Sequence, residues 1–110
     1  MTCKPKLHPS FTRAVKDLKR TYRNAGDDLG EAIEFLLEHP RSAPVIPKDF
    51  GARKLRVRSH DMQTGKSGGF RLIYKWQSPI VHVLFAYPKP RQSSISSQVL
   101  KELCSEAGLI

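Results

Sequence analysis

The sequence predicts an α+β domain: a small antiparallel β-sheet with an N-terminal helical hairpin packed on one face, in the order β-α-α-β-β-β-α. Three observations predict it. Apolar residues recur twice at helical spacing before residue 39, the period changes to two from residue 53, and helical spacing returns from about Ser94. The chain has 110 residues, 39% of them hydrophobic, so residues 1–110 form a single domain with one modest core.

Lys4 to His8 reads as a short edge strand. Pro9-Ser10 opens a helix with Ser10 as N-cap, and Phe11, Val15, Leu18 and Tyr22 fall on one face of it. Arg13, Lys16, Lys19, Arg20 and Arg23 occupy the other face, and Asn24-Ala25-Gly26 breaks the pattern. Asp28-Leu29-Gly30-Glu31 reads as a capping box, followed by an apolar face of Leu29, Ile33, Leu36 and Leu37 that His39-Pro40 ends. The two helices make the hairpin.

The proline-rich connector "PRSAPVIPKDF" leads to a different pattern. In Lys54-Leu55-Arg56-Val57-Arg58, Leu55 and Val57 mark a core face, and Lys54, Arg56 and Arg58 a basic one. The turn-rich segment 59–69 leads into a strand from Phe70 to Trp76. Here Phe70, Leu72, Tyr74 and Trp76 lie on one side and Arg71, Ile73 and Lys75 on the other. Ile80 to Tyr87 is nearly all apolar, as a central strand requires, and Pro88 and Pro90 end it. Ile95, Val99, Leu100 and Leu103 set the final helix.

No apolar run approaches the ~18 residues of a membrane span, and "MTCKPKLHPSF" lacks the apolar stretch of a secretory signal. Cys3 and Cys104 show neither C-x-x-C nor zinc-ligand spacing, so the expectation is two reduced thiols, no metal and a cytoplasmic protein. The net charge is +9, and it is concentrated. Residues 50–91 carry nine Lys/Arg against the one acid Asp61, whereas residues 1–49 carry nine against seven. Such a basic surface attracts polyanions, nucleic acid first among them.

"GKSGGF" at residues 65–70 ends like a phosphate-binding loop, but the position five before Gly65 is His60, and strand residues follow instead of a helix. The stretch therefore does not read as a nucleotide-binding loop. The glycines instead let the chain turn between two basic strands.

With Arg53-Lys54-Leu55-Arg56, then Gly65 to Tyr74, then Tyr87-Pro88-Lys89 in place, the chain resembles the RelE/ParE toxin superfamily, most of all its RelE- and HigB-like members. The resemblance covers most of the chain. It implies a cytoplasmic toxin of a type II toxin–antitoxin pair, held inactive by a cognate antitoxin, that cleaves mRNA in the ribosomal A site beside rRNA. The chemistry implied needs no metal or cofactor: the RNA 2′-hydroxyl attacks the adjacent phosphate, leaving a cyclic phosphate and a 5′-hydroxyl. Fixed cations lower the barrier by meeting the charge gathered on the phosphorane, and an acid and a base move the protons.

On this reading Arg71 clamps the phosphate through its bidentate fork. Lys54 and Arg56 share a face and meet the same phosphate run. Tyr87 either stacks on a base or donates a proton, and Lys89 binds phosphate. Arg53, Arg58, Lys66, Lys75 and Arg91 are the expected RNA-binding cations. For each cation the alternative is an ordinary solvated charge, and for Tyr87 a core or rim aromatic. The sequence departs from the RelE pattern in having no tail tyrosine, with Ser94 to Ser96 at the corresponding place. Arg91 stands in for another family arginine, and His60 and His82 are further candidates for acid or base. Two other functions fit the same fold: a ParE-like gyrase inhibitor without nuclease chemistry, and a non-catalytic nucleic-acid-binding regulator.

Overall fold

The computed structural model describes residues 3–47, 50–62, 68–92 and 94–110. The elements run β1 (Lys4–Leu7), α1 (Pro9–Leu18), α2 (Ala25–Glu38), β2 (Arg53–Val57), β3 (Phe70–Gln77), β4 (Ile80–Pro88) and α3 (Ser97–Glu106). One four-stranded sheet has the order β1-β4-β3-β2. β2, β3 and β4 are antiparallel, as expected, and β1 adds to the edge of β4 in parallel, with Lys4 opposite Ile80 and Lys6 opposite His82.

The two faces of the sheet bury different helices. On one, Phe11 and Leu18 of α1 and Leu29, Ile33 and Leu36 of α2 pack on Val57, Phe70, Leu72, Tyr74, Val81 and Val83. This is the hairpin face that the alternation in β2 and β3 requires. On the other, Leu100, Leu103 and Cys104 of α3 cover Ile73, Leu84 and Tyr87. The final helix thus closes the opposite face, because Ile73, Leu84 and Tyr87 are too apolar to stay in water. A register shift between Ile73 and Tyr74, where β4 passes from Phe85 to Val83, leaves Leu84 opposite no β3 residue. Leu84 and Phe85 both join the α3 side.

Two helix starts differ from the sequence expectation. α1 is capped by His8 with Pro9 in its first turn, and the Ser10 hydroxyl donates to the Leu84 carbonyl at 2.6 Å, tying α1 to β4. α2 begins at Ala25, so Asp28 sits inside the helix and is buried instead of opening a capping box. Asn24 takes the cap position, and Asp61 accepts from its backbone and side-chain N–H groups at 2.8 and 2.9 Å. At α3 the Ser96 hydroxyl does accept from the Val99 N–H.

Candidate nucleic-acid interface

On the α3 side of the sheet, one rung crosses three strands at the end nearest the β2–β3 loop. Arg56 of β2 stands opposite Arg71 of β3, which stands opposite Tyr87 of β4. The rung lies at this end because Val57, Phe70 and Pro88 form the last paired positions. Gly69 makes the approach possible: its φ is +81°, and a Cβ there would collide with the Val57 carbonyl.

Arg71 is only 3% exposed. Its Nη1 donates to the Gly68 and Phe70 carbonyls at 3.1 and 3.2 Å, and among the described residues it forms no ion pair with a carboxylate. Burial and then the neighbouring Arg56 push its pKa down, with Tyr87 opposing them; a guanidinium still keeps its proton. Tyr87 is 1% exposed, and its hydroxyl has no hydrogen-bond partner among the described residues. Burial raises its pKa and Arg71 draws it back, so it is a neutral phenol with a proton to donate. The rung holds two cations in register, an orphaned hydroxyl and no carboxylate. Cations and a hydroxyl of this kind have the chemistry that a phosphate oxygen calls for.

Lys54 lies two residues from Arg56 on the same face, in register with Ile73. Lys89 follows Pro88 at the same end, where its N–H donates to the Gly69 carbonyl at 2.9 Å. The structure therefore brings Arg56, Arg71 and Tyr87 into one rung, with Lys54 and Lys89 beside it. The other expected RNA-binding residues lie elsewhere. Arg53 falls on the hairpin side and donates to the Ala43 carbonyl at 2.7 Å, anchoring the connector. Arg91 turns to α1, 3.7 Å from Asp17 and 3.2 Å from the Thr21 hydroxyl. Lys75 pairs with His82 at the far end of the sheet, Arg58 lies exposed just beyond β2, and Lys66 lies outside the described residues.

His60 has a feature that no local sequence signal gives. Its Nδ1 meets Oδ1 of the buried Asp28, and its backbone N–H donates to Oδ2 at 2.9 Å. The hydrogen bond and charge of Asp28 raise the pKa of the exposed imidazole. His60 is thus fixed by α2, and the loop that carries it adjoins the Gly68–Phe70 backbone, where the Gly69 N–H reaches the Met62 sulfur at 3.1 Å.

No protein-family model matches the sequence, and no curated protein does. Among solved structures, the chain is similar to the free-state structure of an E. coli toxin RelE mutant in which two arginines are replaced by alanine. The TM-score is 0.60 with 21% sequence identity, covering 98% of this chain and 96% of that one. The chain has a RelE-like fold. Among the described residues, no helix is long and apolar enough to cross a membrane.

Proposed function

We propose that this chain is the toxin of a type II toxin–antitoxin pair and inhibits translation by cutting mRNA in the ribosomal A site. The observation that carries the reading is the Arg56–Arg71–Tyr87 rung, where a buried guanidinium without a carboxylate stands in register with a second arginine. Like charges directly opposite one another cost stability, and a bound phosphodiester offsets that cost. Arg71 and Arg56 meet the charge that develops on the phosphorane as the 2′-oxygen attacks phosphorus and the bond to the 5′-oxygen breaks. Tyr87 gives its proton to the departing 5′-oxygen, while the proton of the 2′-hydroxyl passes to solvent water, from which the phenol is restored. Lys54 and Lys89 hold the flanking backbone, and a cognate antitoxin of opposite charge keeps the face covered.

Arg71, held by the Gly68 and Phe70 carbonyls, and Tyr87, packed with α3, are almost fully buried, so RNA reaches them only where this packing opens. That same burial favours a second reading, in which the chain inhibits gyrase without nuclease chemistry. Primer extension on mRNA after induction in cells separates the two. Codon-phased cuts that fall by about 100-fold or more in Arg71→Ala support the nuclease. Growth arrest with intact mRNA and trapped gyrase–DNA complexes supports the second reading, and no growth effect removes both.

A further inference from the structure

At the end of the sheet away from Arg71, a second rung crosses three strands on the same face: Lys6 of β1, His82 of β4 and Lys75 of β3. Lys4, two residues before Lys6, lies on that face as well. His8, which caps α1, places Nε2 at 3.0 Å from Nδ1 of His82, so one ring donates and the other accepts. The two rings are 5% and 8% exposed. We propose that Lys4, Lys6 and Lys75 around the His8–His82 pair form a second oxyanion site, which holds a phosphate of the RNA backbone and takes up a proton as it does so.

The charge pattern supports an anion there. The charged groups acting on the pair are Lys6 from β1 and Lys75 from β3, and among the described residues no carboxylate acts on either ring. Of the acids on α3, Glu106 lies 3.9 Å from Arg13 of α1, and Glu102 accepts from Gln98. Burial and the surrounding cations push both histidines below their ordinary value of 6.5, Lys6 acting on both, Lys75 on His82 and His82 on His8. Each ring is therefore uncharged near neutral pH. Burial is the larger cause, and a phosphate against Lys6 and Lys75 offsets the smaller, cationic part of what keeps the proton off. By linkage, the anion binds more tightly as pH falls into the range where the pair takes up a proton.

Lys75 lies four residues from Arg71, roughly 13 Å along the strand at about 3.3 Å per residue, and α3 packs on the face between them. The two ends thus engage different phosphates of one strand or of two. The choice of RNA as the polyanion rests on the proposed function, whereas the site itself rests on the rung and the histidine pair.

The test uses the full chain carrying Arg71→Ala, so that RNA stays intact, and a short fluorescent single-stranded RNA without ribosomes. Affinity is expected to be about 2- to 4-fold higher near pH 6 than near pH 8, as the uptake of one proton by the pair allows. Adding Lys6→Glu and Lys75→Glu removes that difference and lowers the salt slope by about 0.7, the share of the one phosphate contact that this site makes to a single strand. Lys6 is exposed and Lys75 half-buried, and circular dichroism verifies the fold. In parallel, the imidazole nitrogen signals of His8 and His82 are followed by NMR as the same RNA or inorganic phosphate is added. Shifts with RNA support the proposal. Shifts with inorganic phosphate alone overturn the RNA assignment, and unchanged affinity in the double-glutamate variant overturns the site. Intact cellular mRNA alongside pH-linked RNA binding removes the nuclease reading and leaves this one standing.

Discussion

Both oxygens of the Asp28 carboxylate are engaged by one residue, His60: the ring nitrogen Nδ1 meets Oδ1, and the backbone N–H gives Oδ2 a 2.9 Å hydrogen bond. The folded protein therefore holds the His60 proton more tightly than the unfolded chain does. The contact's contribution to stability is complete below the ordinary histidine value of 6.5 and is lost as pH rises through the raised folded value. The urea midpoint of the native protein should exceed that of His60→Gln most at acidic pH, with the gap closing at alkaline pH. A gap that widens with pH contradicts this account.

Arg56→Ala should move stability and binding in opposite directions. Removing one member of the Arg56–Arg71 pair relieves a like-charge contact, a gain of about 0.2–1 kcal/mol on the scale of cross-strand pairs. The same change takes an exposed cation from the phosphate path and weakens RNA binding. Urea unfolding and an RNA titration on one preparation check both signs. A destabilised variant would mean that Arg56 contributes more by packing than it costs by repulsion.

Tyr87→Phe deletes a buried hydroxyl that has no partner among the described residues. An unsatisfied buried polar group costs about 1–3 kcal/mol, so the variant should be at least as stable as the native protein. If the phenol is the proton donor, mRNA cleavage falls by about 100-fold. Calorimetry and primer extension read the two effects separately. A clear loss of thermal stability would reveal a hydroxyl with a structural partner.

Arg53→Ala is expected to damage the fold and spare the chemistry. Its guanidinium holds the Ala43 carbonyl at 2.7 Å, and a charged hydrogen bond of this kind contributes about 1.5–3 kcal/mol. Cleavage per folded molecule should stay within about two-fold of the native protein, with the lost stability visible in the unfolding midpoint. Preserved stability with lost RNA binding would return Arg53 to the interface.

Much of the sheet and its basic face is legible in the sequence because period-two alternation fixes side. Lys54 and Arg56 against Leu55 and Val57, and Arg71 against Phe70 and Leu72, lie where the pattern places them. The same alternation sets Arg53 with Leu55, and its structural task follows from that parity. What the sequence does not display is pairing across long separations. Nothing local joins Asp28 to His60, or His8 to His82, since each pair is brought together by the packing of elements far apart in the chain. Burial is equally hidden: Arg71 reads as an exposed strand cation, and only the fold turns it onto the Gly68 and Phe70 carbonyls.

The parallel pairing of β1 with β4 also orders events during synthesis. Lys4 has no partner until Ile80 has been made, and α1 has no Leu84 carbonyl to receive the Ser10 hydroxyl before that point. Contacts of such long sequence separation form late in folding. The opening third of the chain therefore leaves the ribosome without the surface on which it will rest, and the basic face assembles only as translation of the chain comes to its end. A polypeptide that stops before Ile80 lacks β4, and with it the partner of β1 and the strand that carries Tyr87.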